Sequence, residues 1–228
     1  LAIIVGATSR GGLWRYALDR QPLVRTLLPS LARSLKRGDR VSVVVGVDAG
    51  DPIWDGGRYG KSWVVEWVKQ DVRRVVADGA ELDIQFVVVD NKASGPGMAL
   101  NAAAKVALDH GGEVFLRLDD DVEIQGQGWV GEVLETMQSQ LHGVGMITIP
   151  TISLKTTKLA TTPPHPKSEM TATFHAVGRS HFAIFPTLYP PDLAPWLHDD
   201  WITMIYTSRR DHAASKPTPF HTTVILPS

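Results

Sequence analysis

The sequence predicts an α/β fold, a single domain with a mostly parallel central sheet flanked by helices. Three observations predict it. Short and nearly continuous apolar runs recur between polar turns, the pattern of strands buried on both faces. Longer stretches with apolar residues three and four apart separate those runs, as amphipathic helices require. The two kinds alternate through the first two-thirds of the 228 residues, an order that builds parallel sheets through helical crossovers.

Taken in order, residues 1–5 (Leu-Ala-Ile-Ile-Val) form a first strand, closed by the loop Gly6-Ala7-Thr8-Ser9-Arg10-Gly11-Gly12. Leu23, Leu27, Leu28, Leu31 and Leu35 give a helix over 22–36. Residues 41–47 form a second buried strand, ended by Asp48-Ala49-Gly50-Asp51-Pro52. A helix over 61–78 is expected to turn Trp63, Val64, Trp67, Val68 and Val75 inward. Residues 82–89 are a third strand, ending at Asp90-Asn91-Lys92, and 98–109 form an alanine-rich helix. The fourth strand, Phe115-Leu116-Arg117-Leu118, feeds Asp119-Asp120-Asp121.

Beyond residue 150 the character changes. Residues 151–167 are rich in Thr, Lys and Pro and read as a loop or excursion. Residues 174–178 and 181–185 read as two short strands around Arg179-Ser180, followed by a helix over 200–210. A loop-like tail then leads to a last apolar run, Val224-Ile225-Leu226.

Composition narrows the function. A formal net charge of -1 argues against a general nucleic-acid binder. The absence of cysteine excludes a disulfide scaffold, a thiolate zinc site and a cysteine nucleophile. No apolar run approaches the roughly 18 residues of a membrane span, and no signal-peptide pattern opens the chain, so a soluble cytoplasmic domain is expected.

The acidic triplet carries the most chemistry. Side chains alternate along a strand, so Asp119 and Asp121 are expected on one side and Asp120 on the other. Adjacent carboxylates repel and stay ionised together only near a cation. Oxygen ligands favour magnesium, manganese or calcium, and magnesium commonly joins one or two carboxylates to substrate phosphates. The triplet therefore reads as a metal–phosphate site, with a solvated acidic turn as the plainer alternative. An EF-hand does not fit, because Ile124 and Val130 stand at its glycine and closing-glutamate positions. Asp48, Asp90 and the triplet all close predicted strands, where ligands bind on open α/β sheets.

In this constellation the chain resembles the GT-A nucleotide-sugar-dependent glycosyltransferases, in particular the family 2-like inverting enzymes. The resemblance runs through Val5-Gly6-Ala7-Thr8-Ser9-Arg10, Val45-Gly46-Val47-Asp48, Asn91 to Gly97 with Asn101, the Asp-x-Asp of 119–121, and His198-Asp199-Asp200-Trp201. It implies a Rossmann-like GT-A domain over 1–228, with 1–124 as the nucleotide-binding half and 125–228 as the acceptor-binding half. It further implies transfer of one sugar from a UDP- or GDP-sugar to a glycan or other hydroxyl acceptor, with Mn2+ or Mg2+. Thr8, Arg10, Asp48, Asn91, Lys92, Asp119 and Asp120 would contact the donor, and Asp121 would ligate the metal. His221, or else His212, would complete the metal shell. Asp200 is the first choice for the general base and Asp199 the second, although either could cap the following helix. Arg179, His181 and Trp196 would face the acceptor.

Other classes fit less well. The first loop faintly resembles dinucleotide-binding loops, but Arg10 replaces a glycine and no acid closes the next strand at the expected spacing. A sugar nucleotidyltransferase would share the architecture but lacks its signature loop here. A non-catalytic domain that binds a sugar nucleotide is the remaining alternative.

Overall fold

The computed structural model describes residues 1–9, 17–55, 61–90, 95–149, 152–153, 173–194, 197–207 and 225–226. In chain order these give β1 (Ala2–Ala7), a helical segment Leu23–Leu27 that runs into α1 (Leu28–Ser34), β2 (Arg40–Asp48) and α2 (Lys61–Arg73). Next come β3 (Glu81–Val89), α3 (Gly97–Asp109), β4 (Val114–Asp119) and α4 (Trp129–Glu135). The remainder comprises β5 (Met146–Thr148), β6 (Ile152–Ser153), β7 (His175–Gly178), α5 (His181–Ile184), α6 (His198–Thr207) and β8 (Ile225–Leu226).

Six strands form the main sheet in the order β3-β2-β1-β4-β7-β5, and β6 pairs with β8 separately. The pairs β1–β2, β2–β3 and β1–β4 are parallel, whereas β7 runs antiparallel to both β4 and β5. The fold is thus the expected single α/β domain with a mostly parallel sheet. Because β4 pairs with β7, the segments before and after residue 124 share one sheet.

Strand alternation sorts the core into two layers. Ile3, Val5, Val43, Val45, Leu116 and Leu118 pack with residues of α1, α2 and α4. Ala2, Ile4, Val44, Phe115 and Val177 face Leu100, Ala103, Ala104 and Ala107 of α3 and Ile202 of α6. The alanines of α3 are what let that helix lie close against the sheet.

Three expectations give way. The run His181-Phe182-Ala183-Ile184 is a helical turn, not a strand, closed by bonds from Phe182 N to Arg179 O and Phe185 N to His181 O. The helix expected over 61–78 stops at Arg73, and Trp63 and Val75 are 48% and 41% exposed rather than inward. Val64, Val68 and Val72 carry its buried stripe. Among the described residues no helix is long and apolar enough to cross a membrane.

Candidate active site

The order of the sheet fixes where a ligand can sit. From β1 the chain steps outward to β2 and β3, then returns to β4 on the other side of β1. The crevice beyond the carboxyl ends of β1 and β4 is therefore the topological switch point. Register places Gly6 beside both Gly46 and Asp119, which aligns the ends of three strands.

A cavity of about 260 Å³ opens at this edge, lined by Gly6, Thr8, Gly46, Asp48, Pro96 and Ala99 among others. Its floor exists because residue 46 has no side chain. A Cβ there would lie 2.1 Å from the Ala99 carbonyl oxygen, so α3 rests directly on β2. A larger cleft of about 470 Å³ lies at the opposite, amino-terminal edge beside Leu1, Arg40 and Glu113. It has no strand-end crevice, and the smaller cavity is the better ligand site despite its size.

Next to this cavity stands the acidic turn, pinned between the buried Leu118 and Val122. The backbone N–H of Ile124 donates to Ser30 Oγ at 3.0 Å, which ties the turn to α1. Burial first, and then the charges of Asp121 and Asp119, push the Asp120 carboxyl up to about 7. Asp119 is held instead by an ion pair, 2.8 Å from Arg117 Nη2. Arg117 is itself only 11% exposed; its Nη1 donates to Thr173 O at 2.7 Å and its guanidinium lies over the Phe174 ring.

From the other side, the first turn of α6 brings Asp199 to the same cluster. Burial raises its pKa, the charges of Asp119 and Asp200 add to the rise, and Arg117 and the Thr173 hydroxyl oppose it. Its Oδ1 is buried with no hydrogen-bond partner among the described residues, as is Nε of Arg117. Asp200 points to solvent.

A small anchor holds α6 in place. Asn101 on α3 donates to Tyr189 O at 2.8 Å and accepts from Tyr189 N at 2.9 Å. The Tyr189 ring lies 4.6 Å from the His198 ring, and its hydroxyl is 3.1 Å from His175 Nε2. Burial raises the Tyr189 pKa, keeping the phenol neutral. Gly97 completes the fit, since a Cβ there would lie 2.6 Å from His198 Nε2.

The structure thus gathers Thr8, Asp48, Asp119, Asp120, Asp121 and Asp199 along one edge, with Asp200 beside them on the outer face of α6. It does not bring Arg179 or His181 there. Because β7 is antiparallel, the residues after Gly178 emerge at the amino-terminal edge, where Arg179 donates to Gly112 O at 3.0 Å. His181 is fully buried, with Nδ1 2.9 Å from the Tyr206 hydroxyl and Nε2 near the carbonyls of Thr187 and Leu188. It is a packing residue and cannot meet an acceptor. Arg10, Asn91, Lys92, Trp196, His212 and His221 lie outside the described residues.

Two residues were not singled out from the sequence, Arg117 and Asp51. For Arg117 there was a signal: a lone arginine inside an apolar strand must find a partner. Among the described residues no three His, Cys, Asp or Glu side chains converge as a cation site.

No protein-family model and no curated protein matches the chain. Among solved structures it is similar to S. aureus TarS, with a TM-score of 0.55 and 16% identity, covering 99% of this chain and 34% of TarS. It is also similar to a Bacillus anthracis protein described as a glucose-1-phosphate thymidylyltransferase, at TM-score 0.47 and 14% identity over 91% of this chain and 82% of the other. A third is mouse xyloside xylosyltransferase 1, at TM-score 0.42 and 12% identity over 90% and 75%. The last two are too distant to carry an argument. The chain spans about a third of TarS, and what the likeness shows is the fold alone: a single α/β domain with a six-stranded, mostly parallel sheet flanked by helices, which is GT-A-like.

Proposed function

We propose that the chain is a metal-dependent glycosyltransferase that moves one sugar from a UDP- or GDP-sugar to an acceptor hydroxyl, with inversion. The observation that supports this best is the arrangement of the switch-point edge. A nucleoside-sized cavity between Thr8 and Asp48, the Asp119–Asp121 turn and a sheltered carboxyl on α6 lie along it.

In this reading the cavity takes the nucleoside, and the Asp48 carboxylate accepts from a base N–H. Asp119, steadied by Arg117, faces the ribose and diphosphate side. The acidic turn fits a divalent cation: Asp120 is pushed up first by burial and then by the charges of Asp121 and Asp119, and a dication would relieve that repulsion. Mn2+ or Mg2+ needs only one or two carboxylates besides phosphate oxygens and water, so Asp121 with the donor suffices, and His221 is the further proposed ligand. When bound, such a cation stabilises the charge of the departing diphosphate.

Asp199 is the proposed general base, in preference to Asp200. A carboxylate with a raised pKa is a stronger base, and the Asp199 side chain combines that shift with only partial burial. Arg117 favours its ionised form, opposing the effect of burial. Asp200 faces water instead. Trp196, next to this turn in the chain, remains the proposed surface for an acceptor sugar.

The test is to incubate the protein with UDP- and GDP-sugars and Mn2+ and to follow released nucleoside diphosphate and product configuration by NMR. Release of nucleoside diphosphate with an inverted product is expected. Formation of an NDP-sugar and pyrophosphate from a nucleoside triphosphate and a sugar 1-phosphate, with no transfer from either NDP-sugar, would mean nucleotidyl transfer and overturn the proposal.

A further inference from the structure

We propose that Asp51 is the positioning residue of the nucleoside edge, fastening the loop after β1 to the turn after β2 so that the cavity is formed before a ligand arrives. This rests on the donor-nucleotide reading above and adds a residue to it.

Asp51 is 1% exposed. A carboxylate so buried must be satisfied by donors, and five of them reach it among the described residues. Two come from its own turn, Ile53 N at 3.0 Å and Trp54 N at 2.9 Å, both to Oδ1. The other three cross from the β1 loop: Ser9 N donates to Oδ2 at 2.8 Å, Thr8 Oγ1 to Oδ2 at 3.4 Å, and Ser9 Oγ to Oδ1. The turn bonds alone would serve the local fold. The three crossing bonds instead fix residues 8 and 9, more than forty positions away in sequence.

Both ends of this clamp meet the cavity. Thr8 lines it directly. Asp48 lines it too, and Asp51 closes the turn that Asp48 opens, with Asp51 N donating to Asp48 O at 3.1 Å. The clamp also decides what this loop can hold. The Ser9 N–H and hydroxyl already serve a carboxylate, so they do not form a phosphate cradle, and that carboxylate disfavours a diphosphate nearby. Residues 8 and 9 are left to the uncharged nucleoside. A ligand entering a preformed cleft avoids the ordering cost of two loops, which otherwise subtracts from affinity.

The test uses Asp51→Asn and Ser9→Ala in the whole chain, at a cool temperature where both are folded. Amide hydrogen exchange at residue 9 is read first, then calorimetric binding of UDP and GDP with Mg2+. An amide offers one acceptor oxygen where the carboxylate had two, so several donors lose their partner in Asp51→Asn. Exchange at residue 9 should quicken about tenfold or more and nucleotide affinity should fall about tenfold, on the scale of one or two hydrogen bonds. Ser9→Ala keeps the backbone bond and should lose about threefold in affinity with the fold intact. Added nucleotide should slow exchange at residue 9 again in Asp51→Asn, whereas in a protein whose clamp serves the fold alone added nucleotide leaves that exchange unchanged. If the wild type binds a nucleotide and both folded variants bind it equally well, Asp51 does not position the edge and only this inference fails. If the wild type protects residue 9 but binds neither nucleotide, the clamp serves the fold alone, and the donor reading falls with it.

Discussion

Arg117→Met probes the centre of the acidic cluster without emptying the space its side chain fills. The substitution removes an ion pair of 2.8 Å to Asp119 and a bond of 2.7 Å to Thr173 O. Each charge-assisted bond contributes about 1.5–3 kcal/mol, and the half-exposed Asp119 puts its share at the low end. Against this loss, methionine restores much of the stem packing, and the buried Nε that lacks a partner is removed. The net cost is about 2–3 kcal/mol, or a melting temperature lower by roughly 5–10 °C in a domain of this size.

The deficit should also depend on pH. Asp199 already has a raised pKa, and Arg117 is the charge that restrains it, so the substitution raises it further. A carboxyl raised on folding binds more protons in the native state than in the unfolded one, so stability falls as pH climbs from the ordinary carboxylate value through the folded value. Arg117→Met should therefore cost more near about pH 8 than near about pH 4, when measured by urea denaturation. A loss under about 0.5 kcal/mol at both pH values would refute the packing and charge argument for this cluster.

Three other substitutions test separate parts of the account. Gly46→Ala drives a Cβ to 2.1 Å from the Ala99 carbonyl oxygen, and because backbone cannot step aside cheaply it should cost about 1–3 kcal/mol or more and narrow the cavity, read by denaturation and nucleotide calorimetry. Asp199→Asn should leave nucleotide binding unchanged and slow transfer by about 10²–10⁴-fold, whereas Asp200→Asn should keep most activity; the opposite pattern in a product assay would move the base to Asp200. His181 has its pKa lowered by burial, against carbonyl bonds that raise it, so it is neutral in the folded protein. Its contribution is complete above the ordinary histidine value and is lost as pH falls below it, so melting temperature should drop on acidification from about pH 7 to about pH 5, a limb that His181→Gln should lack.

Which parts were legible in the sequence follows from where the information resides. The four parallel strands were readable because each carries a short apolar run that stops at an acid or glycine, even the edge strand β3 with its alternating Glu81, Asp83 and Gln85, which is a local pattern. That pattern also located Asp48 and the 119–121 turn at one edge. The region around residue 180 was not readable in the same way. Phe182-Ala183-Ile184-Phe185 is too short for periodicity to separate a helical turn from a strand. Nor does any local feature encode that β7 runs antiparallel, and it is this direction that carries Arg179 to the far edge and sinks His181 into the core. The inward Asp199 and outward Asp200 differ only by the rotation of α6, which its packing on Tyr189 and α3 sets. Asp51 looked like turn chemistry beside a proline, because the three bonds that give it another role come from Thr8 and Ser9, more than forty positions away in the chain.

The most direct measurement is calorimetric titration of the whole chain with UDP and with GDP, each with and without Mn2+, alongside Asp121→Ala. The account predicts that one nucleotide binds, that Mn2+ strengthens its binding, and that Asp121→Ala loses that strengthening while remaining folded. Binding of neither nucleotide to a folded sample, or binding indifferent to both Mn2+ and Asp121, would contradict it.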